Sequence, residues 1–562
     1  MMMSGCRPAP PATTPSVDAV APEVIELGVA DAQRRMTEGT LTARALTQAY
    51  LDRIAAIDDA GPELAAVIEL SAAALAEADA LDRERAAGRV RGPLHGIPVL
   101  IKDNIDVAGM VTSAGSLALA EHRPRADAEL VTRLREAGAV ILGKTNLSEW
   151  ANLRGLRSTS GWSSRGGQTR NPYALDRNPC GSSSGTGSAI AASLAAVGVG
   201  TETDGSIICP ASVQGLVGLK PTVGLISRRG MIPISASQDT AGPMARTVMD
   251  AALLLEALVG GEPRDAAAAA RWGGAGTTGG GAGTTGGAGT TGGAGTTGGT
   301  GGTAGDGGAG AGTGGAANYV DGLRPEALRG KRIGVLRQAM GSHVGLDAAT
   351  ERALAALRAA GAVVVDPVEI ATWGQWDAPE MELMLYEFKA GLDEYLAGSG
   401  APLPSLAAVI AWNRAHAVEV MPWFGQELLE RAQATAGLDA PAYLEARAAA
   451  RRLAWDEGLG ATLAAQRLDA VVAPAFGPAW LTDPVLGDHG VFGGYSVAAV
   501  AGSPSLTVPM GALHGLPVGL VFLGRPFAEA ELLALGYAFE QATRARRAPG
   551  YRPSVPSVPS VP

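Results

Sequence analysis

The sequence predicts one large α/β domain, and three observations lead to that prediction. The chain has 562 residues, of which 46% are hydrophobic, which is ample for a sizeable core. Short apolar runs typical of buried strands alternate with segments whose apolar residues recur at helical spacing. No apolar run reaches the roughly 18 residues that a membrane-spanning helix needs. We therefore expect a sheet covered by helices and no membrane span.

Charge and metal-ligand content exclude several functions. The net charge is -10, and no cluster of Lys and Arg suggests a phosphate backbone as partner, so nucleic acid is not expected. The three cysteines, Cys6, Cys180 and Cys209, and the six histidines form neither a disulfide framework nor a zinc-binding spacing. No metal site is expected. Only five lysines occur, so each is a notable residue.

The first 22 residues form a Pro/Ala-rich tail that we expect to be disordered. The stretch Met3 to Cys6 resembles the end of a lipoprotein signal, but the basic and apolar regions of such a signal do not precede it. The compartment is thus unknown: cytoplasmic by default, or periplasmic or lipid-anchored through Cys6 if the start site is truncated.

Helical periodicity dominates from Val24 to Gly88 and predicts helices over 41–57, 64–70 and 72–87. A buried strand is then expected over 98–101, followed directly by Lys102. A lysine that leaves an apolar strand is desolvated, which lowers its pKa and lets the neutral amine accept a proton. The alternative is an ordinary buried ion pair of Lys102 with Asp103 or Asp106.

Next come a helix over 127–137, a strand over 139–142 and a long polar loop over 148–179. A loop of that length inside a compact domain is usually functional. Trp150, Trp162 and Arg170 in this loop either line a peptide cleft or anchor the loop.

Two stretches of small residues follow, PCGSSSGTGS (179–188) and GTETDGSIICP (200–210), separated by an apolar run. A short buried helix is expected to begin near Ser188, with 189–199 as core helix. Loops without bulk let a substrate carbonyl approach backbone N–H groups, as acyl transfer requires. The first loop also fits G-x-S-x-G, which would make Ser183 an esterase nucleophile, but that motif must follow a strand and 171–179 is polar with two prolines.

The second half begins with a low-complexity segment, 261–318, which includes repeated GGAGTT units and is expected to be a flexible insertion. Deleting residues 273–315 is expected to leave turnover unchanged. Strands are predicted over 332–336, 363–365, 470–473, 506–509 and 518–523, and helices over 249–258, 348–360, 379–395, 404–415 and 442–465. The end, 549–562, is expected to be a disordered tail.

The motifs that carry Lys102, Ser182 and Ser206 resemble the amidase signature family, whose catalytic unit is Ser-cisSer-Lys. The two serines lie 24 positions apart, as the family has them. Five further motifs occur in the family's order: LGKTNLSEWAN (142–152), GGQTRNPY (166–173), GLKPTVGL (218–225), SQDTAGPM (237–244) and GSPSLTVPMG (502–511). The resemblance spans 24–260 and 320–545, so the domain is expected to comprise 23–260 and 319–548. It implies a mixed, twisted sheet covered by helices.

The resemblance also implies site residues. Ser206 would attack the amide carbonyl while its proton passes through Ser182, whose peptide bond is cis in the family, to neutral Lys102. Backbone N–H groups of Thr203, Asp204, Gly205 and Ser206 would form the oxyanion hole, with Gly181 and Ser183 in support. Asp239 either orients this loop or caps a turn. No cofactor is implied.

Most family members have Arg two positions after the nucleophile, whereas this chain has Ile208. At this position, in PCGSSSG (179–185) and in YEFKAGL (386–392), the chain resembles bacterial peptide amidases. The resemblance implies hydrolysis of peptide C-terminal amides without an obligatory partner subunit. The alternatives are a broad amidase for small aliphatic or aromatic amides and a non-catalytic surface protein that displays the Gly-rich segment.

Overall fold

A computed structural model describes residues 24–260, 318–491 and 493–555. Eleven of its strands form one sheet in the order β1-β3-β2-β6-β8-β7-β12-β13-β11-β9-β10, and β4 and β5 form a separate hairpin. The strands are β1 (Val67–Leu70), β2 (Pro98–Lys102), β3 (Val140–Thr145), β4 (Trp162–Ser163), β5 (Gly167–Gln168), β6 (Val197–Glu202), β7 (Val217–Lys220), β8 (Thr240–Ala245), β9 (Arg332–Leu336), β10 (Val363–Val368), β11 (Ala470–Pro474), β12 (Ser505–Leu513) and β13 (Leu516–Leu523).

The sheet is mixed, and it joins both halves of the chain. Strand β2 runs parallel to β3 and β6, whereas β8 is antiparallel to β6. The halves meet where β12 pairs with β7, with Leu506 opposite Leu219. The predicted α/β domain with a mixed sheet is confirmed.

Helices cover both faces of this sheet. Alternate residues of one strand point to opposite faces, and Val472 and Val471 of β11 belong to two different buried apolar clusters. The α-helices are α1 (Val29–Thr37), α2 (Ala43–Ile57), α3 (Ala74–Ala86), α4 (Glu129–Glu136), α5 (Ser184–Ala191), α6 (Ile208–Val213), α7 (Val248–Leu258), α8 (Val344–Ala359), α9 (Asp377–Ser399), α10 (Leu406–Ala415), α11 (Ala417–Val420), α12 (Glu427–Gln433), α13 (Pro441–Arg451), α14 (Gly460–Ala465), α15 (Ser496–Ala501) and α16 (Glu529–Thr543).

Two helix predictions were wrong. Residues 64–70, expected to be helical, contain β1, which pairs antiparallel with the end of β3. In the apolar run 189–199, α5 ends at Ala191 and β6 begins at Val197. Short apolar runs suit buried helices and buried strands equally, so sheet pairing decides between them.

The cysteines and the C-terminus also differ from expectation. Cys180 and Cys209 form a disulfide that joins the loop before α5 to α6, with Cα atoms 6.0 Å apart. Their separation of 29 residues gave no recognisable sequence signal. Residues 549–555 belong to the folded chain, because Tyr551 donates to the Pro172 carbonyl and the Arg552 carbonyl accepts from Leu175. The predicted tail at 1–22 and nearly all of 261–318 lie outside the described residues.

Among the described helices, none combines the length and apolar character needed to cross a bilayer.

Candidate active site

Lys102 is the last residue of β2 and is fully buried. Its Nζ donates to Ser182 Oγ at 2.7 Å, to Thr201 Oγ1 at 2.8 Å and to the Thr201 carbonyl at 3.2 Å. Thr201 Oγ1 also accepts from Asn104 Nδ2 at 3.0 Å. The amine is therefore surrounded by neutral oxygen atoms, one of which belongs to a predicted catalytic serine.

The ion pair considered for Lys102 does not form. Asp103 instead contacts Lys144 at 3.2 Å and Arg165 at 3.0 Å, and Asp106 accepts from Tyr395 at 2.7 Å. Burial lowers the pKa of Lys102 to about 7, and the more distant charges of Glu202 and Asp239 only partly oppose this effect. Lys102 thus holds a substantial neutral fraction near pH 7.

Ser182 lies in the loop before α5, and its peptide bond with Gly181 is cis, as the resemblance implied. A Cβ on Gly181 would collide with the Ser148 hydroxyl, and one on Gly185 would collide with the Ala66 carbonyl. The small residues of this loop therefore allow close packing around Ser182.

Ser183 links this loop to the strand and loop that carry Ser206. Its Oγ donates to the Thr201 carbonyl at 3.0 Å and accepts from the Thr201 N–H at 3.2 Å, and its N–H donates to the Ser206 carbonyl at 3.1 Å. A fully buried hydroxyl with this position is not an exposed nucleophile. The esterase interpretation of Ser183 therefore has no geometric support.

Ser206 lies in the turn between β6 and α6 and lines a cleft of about 540 Å³. Behind the turn, the buried carboxylate of Glu202 accepts from the N–H groups of Ile207 at 2.6 Å and Ile208 at 2.9 Å. Burial raises the pKa of Glu202, and the charge of Lys220 and the backbone N–H groups of the turn only partly oppose this effect. The hydrogen bonds to the Glu202 carboxylate thus hold the backbone of this turn in place.

Asp239 performs both functions that the sequence left open. It accepts from the N–H groups of Ile234 at 2.7 Å and Ser235 at 2.9 Å, which closes a turn. It also accepts from the Thr203 hydroxyl at 2.6 Å, which fixes the loop that precedes Ser206.

Other elements complete the cleft, and most gave no signal in the sequence. Asp377 and Glu380 come from the first turns of α9, and Tyr495 and Ser496 come from the start of α15. Ser496 donates to Asp204 at 2.9 Å. These residues lie far from Ser206 in the chain, so only the fold brings them together. Thr201, the partner of Lys102, is different: it lies within the TETDGS motif (201–206), so the sequence did contain a signal for it.

The long polar loop 148–179 contributes to the cleft only through Ala151, Asn152 and Leu153. Trp150 packs against Phe388 instead. Trp162 and Arg170 do not line the cleft either. All three residues therefore fit the alternative that they anchor the loop rather than contact a peptide. Within the described ranges, no group of His, Cys, Asp and Glu is arranged to hold a metal ion.

Several known proteins resemble this chain along most of its length. The family model described as Amidase matches residues 45–272 and 316–533. A probable amidase of Arabidopsis thaliana is 37% identical over 94% of this chain and 92% of its own length, and a glutamyl-tRNA(Gln) amidotransferase subunit from Moorella thermoacetica is 32% identical over 90% and 94%. The crystal structure of native peptide amidase from Stenotrophomonas maltophilia is 55% identical, with a TM-score of 0.83 over 94% of this chain and 99% of that one.

Proposed function

The chain belongs to the amidase signature family and is an amidase, and from this premise we propose that it removes the C-terminal amide of peptides. The observation that carries the proposal is the cleft of about 540 Å³ that Ser206 lines. Clefts of several hundred Å³ suit ligands larger than a simple amide such as acetamide. The likeness to peptide amidase at 55% identity supports the same substrate class.

In the proposed mechanism, Ser206 Oγ attacks the amide carbonyl carbon and passes its proton to Ser182, which passes its own proton to neutral Lys102. The 2.7 Å hydrogen bond between Lys102 and Ser182 supports this route. When the tetrahedral intermediate collapses, the C–N bond breaks and the same relay returns the proton to the departing nitrogen, which leaves as ammonia. Water then attacks the ester of Ser206, releases the peptide acid and regenerates the hydroxyl.

The oxyanion of that intermediate needs hydrogen-bond donors, and we assign them to the backbone N–H groups of Thr203, Asp204, Gly205 and Ser206. Such donors are worth about 3–4 kcal/mol each in the activation barrier. Gly181 and Ser183 support the site by packing and by their contacts to neighbouring backbone.

Ammonia release from matched substrates tests the proposed function. We expect rapid release from an N-acetyl dipeptide amide and little from acetamide or benzamide at equal concentration. Ser206→Ala supplies the background rate, because it removes the nucleophile without adding bulk. A preference for the small amides would instead indicate a broad amidase with the same catalytic residues. No ammonia from any of them would contradict amide hydrolysis at this site.

A further inference from the structure

The loop that carries the proposed oxyanion-hole N–H groups, 203–206, is in contact with a carboxyl group of another element. Glu380 lies near the start of α9, is buried, and lines the cleft together with Asp204. The carboxyl groups of Glu380 and Asp204 hydrogen-bond each other. Two ionised carboxylates in contact repel each other, and neither has a proton to donate, so such a pair holds a shared proton.

The other hydrogen bonds of the pair leave a place for this proton. Asp204 Oδ2 accepts from Ser496 at 2.9 Å, but Oδ1 is shielded from solvent and receives no hydrogen bond from an N–H or hydroxyl group in the described part of the chain. Glu380 Oε1 accepts from Gln238 Nε2 at 2.7 Å. A shielded carboxyl oxygen without a donor is costly. A protonated Glu380 supplies the donor that Asp204 lacks, while its Oε1 still accepts from Gln238.

The charges around the pair favour retention of the proton. Titratable groups that face it from neighbouring elements include Glu202 of β6, Asp377 of α9, Lys220 of β7 and Tyr495 beside α15. Burial raises the pKa of Asp204 to about 7, and the first two of these groups add to that effect, whereas Lys220 opposes it. Burial and the charge of Asp204 likewise raise the pKa of Glu380. The pair therefore keeps a proton at a pH where an isolated carboxyl group has lost it.

We propose that Glu380 is a positioning residue for amide hydrolysis, and that the proton it shares with Asp204 holds the loop 203–206 in the geometry that the oxyanion requires. The inference rests on the proposed function, which places the N–H groups of this loop around the oxyanion. Gln238 adds a second link, because its Nε2 donates to Glu380 and, at 3.4 Å, to the Thr203 carbonyl. Loss of the shared proton would leave two carboxylates in contact and displace Asp204, whose N–H is one of the assigned donors.

Two substitutions of Glu380 separate the shared proton from simple packing. In Glu380→Gln the amide oxygen accepts from Gln238 and the NH2 group donates to Asp204, so kcat at pH 8 should remain within about threefold of wild type. Glu380→Met keeps the length and removes the donor. Its kcat should fall about 10- to 100-fold with KM changed less than about threefold, because contacts made in the transition state are weakened. Glu382→Met is the matched control on the same helix outside the cleft lining, and it should behave like wild type.

Ammonia release is measured with the amide that the wild-type enzyme hydrolyses fastest, whether that is an N-acetyl dipeptide amide or a small amide. A wrong assignment of peptide preference therefore does not affect the comparison of the variants. Equal losses in Glu380→Gln and Glu380→Met would overturn the inference while leaving amide hydrolysis intact, and so would wild-type turnover in Glu380→Met. No ammonia from any amide with the wild-type enzyme would overturn both the inference and the proposed function.

The pH profile of kcat provides a measurement that a purely structural contribution of Glu380 would not change. In the wild type, kcat should decline on the alkaline side of its plateau as the pair loses its shared proton. The decline should be absent from Glu380→Gln, because an amide does not titrate. An alkaline decline of the same size and position in both proteins would overturn the inference.

Discussion

Two fully buried lysines at the ends of neighbouring parallel strands have different surroundings. Lys102 ends β2 and Lys144 lies near the end of β3, where it pairs in register with Ile101. Lys144 contacts the Asp103 carboxylate at 3.2 Å and donates to the Val111 carbonyl at 2.9 Å. Lys102 contacts only hydroxyl and carbonyl oxygens. The two pockets thus differ in one direct contact, because Lys144 forms an ion pair with a carboxylate and Lys102 does not.

Burial lowers the pKa of both lysines, but Asp103 opposes this effect at Lys144 at close range. The Asp103 carboxylate favours the charged form of Lys144, whereas the neutral oxygens around Lys102 let that amine give up its proton near pH 7. Asp103 follows Lys102 directly in the chain, yet its carboxylate contacts Lys144 instead. The placement of one carboxyl group therefore separates a proposed base from a structural cation.

The largest expected effect is the loss of activity when one of the two serines that connect the substrate to Lys102 is replaced. Ser206→Ala should reduce ammonia release at least about 10⁴-fold, because no nucleophile remains. Ser182→Ala should leave a small residual activity, since Ser206 persists without its relay. Ser188→Ala on α5 is the control, because its hydroxyl contacts the Arg170 carbonyl and Gln214 rather than a predicted catalytic residue, and turnover should remain within a few-fold of wild type. Equal, mild losses at Ser182 and Ser206 would contradict the assigned functions.

Removal of the neutral lysine is the next test. Lys102→Met should lower kcat by about 10³-fold, within the range typical of a lost general base. The free energy of unfolding should change by less than about 1 kcal/mol, because the variant replaces a desolvated amine with an apolar group of similar length. Assays of ammonia release and chemical denaturation of the same preparation measure both quantities. Substantial residual turnover would show that another group accepts the proton.

Substitution of Lys144 should have the opposite effect to substitution of Lys102 on the free energy of unfolding. Lys144→Met should lower the free energy of unfolding by about 3 kcal/mol, because it leaves the buried Asp103 with Arg165 as its remaining ion-pair partner. Adding Asp103→Asn should recover part of that loss, which chemical denaturation of the single and double variants would show. Unchanged stability of Lys144→Met would mean that the two pockets do not differ as described.

The sequence was sufficient to predict the parts of this comparison that lie within short motifs. The strand before Lys102, the alternation of strands and helices, and the cis peptide at Ser182 followed from local pattern or family resemblance, and the structure agrees. The ion pair of Asp103 with Lys144 could not be predicted from the sequence. A carboxylate next to one lysine in sequence can point to another on the neighbouring strand, and only the register of β2 against β3 decides this.

Contacts between distant segments were likewise beyond prediction. The carboxyl groups of α9 reach the cleft because that helix packs near the Ser206 turn, far away in sequence. Strand β1 was assigned to a helix because its four residues have no distinctive periodicity, and its pairing with β3 determines its conformation. Long-range pairing, rather than local propensity, accounts for these errors.

The smallest and most specific effect is the pH dependence of turnover. The pKa of Lys102 in the folded protein, about 7, lies below its ordinary value of 10.5, so the neutral amine accumulates as pH rises through 7. With a neutral peptide amide, kcat/KM should rise about tenfold per unit below pH 6 and level off above pH 8. The unfolded chain binds more protons between these two pKa values, so the Lys102 contribution to stability also rises with pH over that range.

Asp204 has a pKa of about 7 in the same cleft and could produce the same profile. Glu380 is hydrogen-bonded to Asp204 and its pKa is raised as well, so the double variant Asp204→Asn with Glu380→Gln is used: it removes both carboxyl titrations and leaves Lys102 with its partners Thr201 and Ser182. An inflection that persists near pH 7 in this variant would assign the titration to Lys102. An inflection that disappears, or a flat wild-type profile from pH 5 to 9, would show that the neutral pocket does not create the catalytic base.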